Sequence, residues 1–406
     1  MDEAIIDRRQ TDQIVFTLEP MWPLSELHAR WRELENRAEA SFFQSWDWIG
    51  CWIAEAQIAP RVLVGRGAKD IVALGLLQPS RPHHLSLKRT DALLLHHLGE
   101  KEKDALTIVY NGFLIDRDVS LQAVQKAIDF LFIHKSAPAF HKNNHRLDEL
   151  YLRGVPQQYE QYAHAPGTRQ VLLSRNRSWK VNLDDIRTSN RGYIEHLSAN
   201  TRYQIRRAIR LYKLRGKIVA KRAGNVDEAL GYYDALKEVS TEYWARRGRT
   251  SSFAYPFFER FHRRLIYDCV PRGTVELMRV TAGSQLIGYL YNFTHKGWIY
   301  AYQCAFVFEA DPKYKPGLVA HALCIEQHLR EGAKIYDFLA GYSRYKTNLG
   351  MPGLDMLDIV LQRPGLSLTV ENYLRRAKRA LWRAIAKRST FEPGLDTFTS
   401  PLTTTQ

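Results

Sequence analysis

The sequence predicts an α/β (α+β) protein in which mixed central sheets are flanked by helices, and three observations predict it. The chain has 406 residues, 45% hydrophobic and 25% charged, which is a globular composition too long for one typical core. Segments with helical spacing alternate with short apolar strands. The two halves also share a weak internal repeat. We therefore predict one domain at 1–165, a second at 170–365 and a basic helical tail at 366–406.

The first half contains three helical patterns and a hairpin. Apolar residues recur at helical spacing in residues 23–39, 41–56 and 120–135. Residues 61–79 form two apolar runs with a turn at Gly67 to Asp70, and residues 147–156 form a last strand. The polar segment 157–170 contains Pro and Gly and marks the boundary.

The second half repeats this plan. Helices are predicted at 198–214, 225–248, 254–270 and 317–332, and a hairpin at 275–293 is joined through Lys296-Gly297 to a strand at 298–306. In both halves the last strand ends at a glycine, Gly154 or Gly341. Aligning these glycines places Leu150 where Asp337 stands. We therefore expect any chemistry to belong to the second copy.

The stretch after that last strand combines an acid, a phenol and an amine. Asp337 stands in an apolar strand, and Tyr345 and Lys346 follow in the loop. A buried carboxylate is costly unless something pairs with it. A carboxylate here could accept a proton from an amine, and a tyrosine could donate one to a leaving group. A structural Asp–Lys pair that fixes the loop explains the same residues equally well.

A possible anion site precedes the helix at 317–332. Pro316 and Gly317 break the chain there, with Lys313 and Lys315 beside them. Free N–H groups and the positive end of the helix dipole would suit a pyrophosphate or a phosphopantetheine arm. The alternative is that Pro-Gly only begins a helix and that the lysines are solvated.

The strands around residues 286–306 are rich in aromatic residues. Tyr291 lies on one face of the first strand and Tyr302 on one face of the second. A packed core explains such stripes, and a tunnel for an acyl chain or ring is the functional alternative. Gln303, polar among apolar neighbours, is the residue that packing explains least.

The formal net charge of +15 predicts attraction to an acidic partner. Arg202, Arg206, Arg210 and Lys213 form one stripe of the helix at 198–214. This stripe is either a solvated face or a contact for phosphates or an acidic partner. Aromatic residues that would stack on bases are few, so nucleic-acid binding is not predicted. The tail pattern fits a docking helix, with peripheral contact to an anionic membrane as the alternative.

The cysteines and the apolar runs argue against a metal protein, a secreted protein and a membrane-spanning protein. None of the four cysteines forms a CxxC pair or stands beside histidines at ligand spacing, so we expect buried thiols and no metal. The N-terminus lacks an apolar core, and no apolar run approaches the ~18 residues that span a bilayer. A cytoplasmic protein is predicted, with membrane-peripheral contact through the tail as the alternative.

Four motifs in this order resemble the GNAT acyltransferase superfamily. They are EYWARRG with Trp244, LIGYLYNF, YKPGLVAHALCIEQHLREG, and YDFLAGYSRYKTNLG at 336–350. More closely, they resemble its two-domain branch, which includes the Fem peptidoglycan-bridge transferases and acyltransferases found beside bacterial polysaccharide genes. The resemblance extends from Ser41 to about Gly350. It implies tandem GNAT-like domains, of which the first is degenerate.

The resemblance also implies a reaction. An acyl group passes from acyl-CoA or an acyl-phosphopantetheine carrier protein to a small-molecule or peptide amine by direct attack, without a metal. A backbone N–H between Tyr289 and Asn292 would polarise the thioester carbonyl. The implied catalytic residues are Asp337, Tyr345, Lys346 and Gln303. The implied donor-binding residues are Lys313, Lys315, Gly317, Leu318 and Tyr291. The implied substrate-binding residues are Trp244, Arg202, Arg206 and Tyr302.

Two departures from the family pattern keep alternatives open. GNAT donor loops read R/Q-x-x-G-x-G/A, whereas residues 314–319 keep only the middle glycine, Gly317. The long coiled-coil insertion of several Fem enzymes is absent from the pattern, which weakens an aminoacyl-tRNA donor. The alternatives are a Fem-like transferase that uses aminoacyl-tRNA, and a catalytically inactive GNAT pair that serves as a scaffold.

Overall fold

A computed structural model describes residues 14–82, 90–133, 146–189 and 191–365. These residues form two compact units, the first containing 14–175 and 355–365 and the second 176–354. The division differs from our boundaries, because residues 355–365 belong to the first unit rather than to the second domain. The predicted basic tail, 366–406, lies outside the described residues.

The first unit combines helices with an antiparallel-rich sheet. Its helices are α1 (Leu24–Arg37), α2 (Trp46–Ala56), α3 (Gln122–Ile133) and α4 (Tyr159–Tyr162). Its strands are β1 (Val15–Glu19), β2 (Arg61–Arg66), β3 (Ile71–Ser80), β4 (Ala92–Leu95), β5 (Leu114–Ile115) and β6 (Glu149–Pro156). The strand order is β1-β2-β3-β4-β6, with β5 pairing β3, and β4 runs parallel to β6. Residues 356–362 pair antiparallel with β6.

The second unit contains the remaining elements. Its helices are α5 (Leu183–Thr188), α6 (Ala199–Lys213), α7 (Val226–Ala245), α8 (Pro256–Cys269), α9 (Pro316–Arg330) and α10 (Arg344–Leu349). Its strands are β7 (Arg169–Asn182), β8 (Ile218–Arg222), β9 (Val275–Ala282), β10 (Gln285–His295), β11 (Trp298–Phe306) and β12 (Ile335–Ala340), and β13 (Met351–Gln362) leads back to the first unit. The order is β7-β12-β11-β10-β9-β8.

The two units share one topology, which agrees with the weak repeat in the sequence. In each unit a run of antiparallel strands is followed by one parallel pair, β4 with β6 or β11 with β12, and a helix lies between the paired strands in the chain. The glycines that we aligned both have positive φ, 65° at Gly154 and 104° at Gly341. The predicted α/β fold, in which one plan is repeated in two units, is confirmed.

Local signals fixed most helices and turns. Lys296 and Gly297 have φ values of 48° and 83°, as a two-residue hairpin turn of this type requires. Asn225 caps α7 by accepting a hydrogen bond from the N–H of Glu228. The sequence did not indicate β1, β4, β5, β7, β8 and β13, and the segment predicted as a loop around Tyr345 and Lys346 is the helix α10. These strands are short, at an edge or polar on one face, so their pairing partners decide their conformation.

Candidate active site

Strands β11 and β12 separate in the middle of the second unit. They pair in parallel through only three residue pairs, the last joining Tyr300 to Asp337. Beyond this pair β11 continues to Phe306 and β12 to Ala340 without pairing each other. The second half of β11 therefore presents one of its backbone edges to the gap between the strands.

The register shows which amides face this gap. The N–H of Val307 donates to the carbonyl of Ile287 on β10, and Ala305 pairs with Tyr289 in the same register. Backbone groups alternate between the two edges of a strand. The amides of Cys304 and Phe306 therefore point away from β10, toward the gap.

This arrangement corrects one expectation. We predicted that an N–H between Tyr289 and Asn292 would polarise the thioester carbonyl. That part of β10 pairs with β9 on one side and β11 on the other, so it presents no open edge. The amides of Cys304 and Phe306 on β11 are the donors that the splayed edge leaves available.

A cavity of about 400 Å³ opens at the gap, and we call it the donor cavity. Its volume is suited to a small-molecule ligand. It brings together six of the predicted site residues: Gln303, Tyr345, Trp244, Lys315, Gly317 and Leu318. Its other walls are mainly aromatic and apolar, and they include Tyr243, Phe306, Phe308, Tyr314 and Pro312. The sequence analysis did not single out these wall residues, because an aromatic residue near a loop has no distinctive spacing.

The N-terminus of α9 forms one side of the donor cavity. Lys315 is the N-cap residue, and Gly317 packs so closely on Phe306 that a Cβ atom would lie 3.1 Å from its ring. No acidic side chain occupies the first turn, so the positive end of the helix dipole is not compensated there. Lys313 is exposed and does not line the cavity, in contrast to Lys315.

Behind the cavity wall lies a buried lysine. Lys346 is fully buried, and its Nζ donates to the carbonyls of Ala340 at 3.0 Å and Leu339 at 3.4 Å. Burial lowers the pKa of Lys346 to about 8, although Asp337 and Cys304 act to raise it. Asp337 is also fully buried, and its Oδ1 accepts the N–H of Leu339 at 2.6 Å. Asp337 thus acts electrostatically on Lys346, and the predicted Asp–Lys pair stays a prediction.

The backbone at this point is unusual. Leu339 has a φ of 62°, in the left-handed region, and it is buried at 3% exposure. Between Asp337 and Ala340 the register of β12 with β7 shifts, as at a β-bulge. A non-glycine residue in this region is strained. The bulge places the carbonyls of Leu339 and Ala340 on the Lys346 amine.

Tyr345 connects this pair with the cavity. Its hydroxyl is hydrogen-bonded to the thiol of Cys304, and burial keeps the pKa of Tyr345 well above its usual value. Burial also raises the pKa of Cys304 to about 12, against the opposite effects of Lys346 and Tyr345. Both groups therefore keep their protons near neutral pH.

His321 is a site residue that the sequence analysis missed. It lies on α9, and its ring stacks on Tyr345 with centroids 5.1 Å apart and planes at 8°. Its Nδ1 lies 3.0 Å from the hydroxyl of Tyr336. Burial, helped by Lys346, lowers the pKa of His321 to about 3, so the ring is neutral. The sequence feature that could have identified His321 is a histidine within the apolar helix pattern at 317–332.

The structure does not bring the remaining predicted residues to the cavity. Tyr291 and Tyr302 are buried in an aromatic cluster with His262, whose Nδ1 lies 3.1 Å from the Tyr291 hydroxyl. Arg202 donates to the carbonyl of Leu197 at 2.7 Å, and Arg206 forms an ion pair with Glu195 at 2.7 Å. Their predicted roles in binding donor or substrate stay predictions without support from this geometry.

Among the described residues, no helix is both long enough and apolar enough to span a bilayer.

Comparison with known proteins agrees with this geometry. Residues 199–347 match the family model described as an acetyltransferase (GNAT) domain. The matched range contains α7, the splayed strands and α9, and it ends just after Lys346. No curated protein sequence matches the chain significantly.

A solved structure shares the fold over most of the chain. A crystal structure of FemX has a TM-score of 0.55 at 13% identity, and the match covers 88% of this chain and 100% of FemX. A conserved protein from Bacteroides thetaiotaomicron (0.49, 9% identity, 86% and 100% covered) and a tandem GNAT protein from the clavulanic acid biosynthesis pathway (0.45, 12%, 86% and 99%) are also similar. Of these three structures, FemX supports a conclusion about the fold alone, and no conclusion is drawn from the other two.

The fold and the family match together define the class, which is an N-acyltransferase enzyme. Residues 199–347 of the second unit match the GNAT acetyltransferase domain, and the chain shares its fold with FemX.

Proposed function

We propose that the second unit transfers an acyl group from a phosphopantetheine thioester, as acyl-CoA or an acyl carrier protein, to an amine of a small molecule or peptide. The observation that carries this proposal is the splay of β11 from β12 over the donor cavity. The N-terminus of α9 and Lys315 lie at that cavity and suit a phosphate group.

The thioester carbonyl would accept hydrogen bonds from the amides of Cys304 and Phe306. These donors are fixed in the strand, so they stabilise the oxyanion without reorganisation. The amine nitrogen forms a bond to the carbonyl carbon, and the carbon–sulfur bond then breaks. Because the Cys304 thiol keeps its proton, direct attack is favoured over an acyl-cysteine intermediate.

Two protons must move in this reaction. The nitrogen loses one, and the leaving thiolate takes one. We assign to Tyr345 the proton that the leaving thiolate takes, because Tyr345 lines the cavity and keeps its hydroxyl proton near neutral pH. The proton that the nitrogen loses is relayed through the thiol of the cavity residue Cys304, which takes that proton and gives its own to the neutral form of the buried Lys346. Asp337 then acts as a positioning residue for Lys346, a change from its predicted role as the base.

Donor binding tests the proposal directly. We would follow the melting temperature of the full chain with CoA, acetyl-CoA, longer acyl-CoAs and an acyl carrier protein. A ligand that binds only the folded state must raise this temperature. We expect a rise with CoA thioesters that is reduced in Lys315→Gln but kept in Lys313→Gln, because only Lys315 lines the cavity. No rise with any thioester contradicts the proposal.

The alternative donor is aminoacyl-tRNA, and the likeness in fold to FemX keeps it in view. It is separated by adding aminoacyl-tRNA to the same titration and repeating the transfer assay after ribonuclease treatment. Transfer that ribonuclease abolishes would favour the tRNA donor. Thioester binding without transfer to any amine would favour a scaffold. A cytoplasmic location, an acidic carrier partner and membrane contact through the tail also stay proposals.

A further inference from the structure

A second cavity lies in the second unit and shares no lining residue with the donor cavity. Its volume is about 330 Å³, and it is lined by Arg222, Glu276, His328 and Glu331 together with apolar and glycine residues. A buried polar cluster lies at its floor, and the proposed acyl transfer uses none of these side chains.

The cluster joins α9 to the sheet. Cys324 and His328 are four residues apart on α9, so they share one face of the helix. Glu276 on β9 and Asn292 on β10 are direct cross-strand partners beneath that face. The thiol, imidazole and carboxylate donor atoms all lie within 4.8 Å of one another. The prediction of no metal did not take account of the Cys-x-x-x-His spacing of Cys324 and His328.

The contacts within the cluster are short. His328 Nε2 lies 2.7 Å from Glu276 Oε1, and Asn292 Nδ2 donates to the same oxygen at 2.8 Å. Asn292 Nδ2 also lies 3.5 Å from the sulfur of Cys324. All four side chains are buried.

One polar atom of this cluster is not satisfied. The side chain of Asn292 is fully buried, and its Oδ1 has no hydrogen-bond partner among the described residues. An unsatisfied buried acceptor costs about 1–3 kcal/mol. An amide oxygen is also a metal ligand. Because Nδ2 now faces Glu276 and Cys324, a half-turn of the amide would bring Oδ1 to a cation among these side chains and satisfy it.

We propose that Glu276, Cys324 and His328 bind a zinc ion, and that the amide of Asn292 turns by about 180° so that its oxygen replaces Nδ2 in the cluster as the fourth ligand. Sulfur, nitrogen and carboxylate donors in a four-coordinate set are typical of zinc, whereas magnesium and calcium take oxygen ligands. Because the site is buried and closed, its role is structural: it fixes α9, whose N-terminus forms one side of the donor cavity, to β9 and β10.

The charges balance on binding. The thiol of Cys324 loses its proton, and the proton between His328 and Glu276 also leaves. Two protons therefore leave when one zinc dication binds, and the net charge of the site does not change. Arg222 Nε lies 2.7 Å from Glu276 Oε2, the oxygen that faces away from His328. It therefore orients the carboxylate from outside the site, as outer partners of metal ligands do. The cavity provides the path of entry.

Metal binding by the untagged full chain tests the proposal. The protein is treated with a chelator, desalted, mixed with zinc chloride and desalted again, and bound zinc is measured by mass spectrometry. We expect one zinc per chain and a melting temperature that rises with zinc concentration. Cobalt(II) in place of zinc should give the absorption band of a cobalt–thiolate bond.

The variants assign the ligands. Cys324→Ser should lose the cobalt–thiolate band, and His328→Gln should lose bound zinc. Cys269→Ser, which changes another buried cysteine of the same unit, should keep both. If the ligand variants do not fold, the wild-type measurement still decides. A wild-type chain that retains no zinc, or a folded Cys324→Ser chain that keeps the thiolate band, would overturn the proposal. Neither result depends on acyl-transfer activity.

Discussion

Lys346 is the residue whose chemistry depends most on its surroundings. Burial lowers its pKa to about 8, while Asp337 and Cys304 oppose that shift. A lysine with this pKa is partly neutral under ordinary conditions, and only the neutral amine accepts a proton. Its site therefore suits proton transfer better than it suits a permanent ion pair.

The first prediction concerns the pH dependence of transfer. The wild-type rate should rise with pH through about 8, because Lys346 loses its proton there. Lys346→Gln should lower kcat about a hundredfold and abolish this rise. Lys334→Gln, which changes an exposed lysine just before β12, should leave both unchanged. A pH profile that is the same in Lys346→Gln and wild type would exclude Lys346 as the proton acceptor.

The second prediction separates two roles for Asp337. Its negative charge raises the pKa of Lys346, so Asp337→Asn should lower that pKa and move the rise in rate to lower pH. At high pH the rate should stay close to that of the wild type. The pH profile of kcat measures this. A rate reduced equally at every pH would instead show that Asp337 itself takes the proton.

At the scale of elements, α7 forms part of the wall of the donor cavity and so limits the space for an acyl chain bound there. Ser240 on α7 is buried and lines the donor cavity with Tyr243 and Trp244. Ser240 is a small residue beside these two aromatic residues, so a larger side chain at this one position would fill part of the cavity.

The third prediction is therefore that Ser240→Phe selects against long donors. The larger side chain should reduce kcat/KM for long acyl-CoAs more than for acetyl-CoA, because the apolar space is occupied. Ser240→Ala serves as the control and should change neither. Competition between two chain lengths in one reaction measures the ratio directly. An unchanged ratio in Ser240→Phe would show that the acyl chain does not enter this cavity.

The fourth prediction contrasts two glycines of the second unit. Gly283 has a φ of 57° between β9 and β10, and a Cβ atom there would lie 2.5 Å from the carbonyl oxygen of Arg215. Gly283→Ala should lower the free energy of unfolding by about 1–3 kcal/mol. Gly231 lies inside α7, and a Cβ atom added there would meet no other atom within 4 Å. Gly231→Ala should therefore raise the free energy of unfolding by roughly 0.5–1 kcal/mol.

Urea unfolding of both variants beside the wild type measures these changes. The two substitutions add the same methyl group, so opposite signs would come from the surroundings, which are a positive φ and a close carbonyl at Gly283 and open space at Gly231. A Gly283→Ala variant as stable as the wild type would mean that the turn adopts another conformation.

At the scale of the whole molecule, the net charge of +15 bears on the donor. Positive charge accelerates encounter with an acidic protein, and salt screens this effect. Free CoA carries fewer charges over a smaller surface than an acidic carrier protein does. The two donors should therefore respond differently to ionic strength.

The fifth prediction follows from this difference. If an acyl carrier protein is the donor, kcat/KM with that carrier should fall steeply as salt is raised, and the fall should be much smaller with the same acyl group on CoA. Stopped-flow or steady-state rates across a salt series measure both slopes. Equal slopes would contradict a role for the overall charge in carrier binding.

Part of the site followed from the sequence. Pro316 and Gly317 predicted the start of α9, and that start agrees with the helix bounds; the anion site at this end of the helix stays a prediction. Tyr291 and Tyr302 show the limit of such patterns. Alternation tells which residues share a strand face, but not whether helices cover that face, and α7 and α8 place Tyr233 and His262 there.

The sequence by itself determined the local elements: the helices, the Lys296-Gly297 hairpin and the repeat of one plan in two halves. These depend on residue spacing and on backbone preferences that act over a few residues. Only the tertiary structure decided where β11 leaves β12, that Lys346 lies buried beside Asp337 and Cys304, and that Cys324 and His328 meet Glu276. Such contacts join residues distant in the chain, and burial then changes their charges, which no local pattern contains.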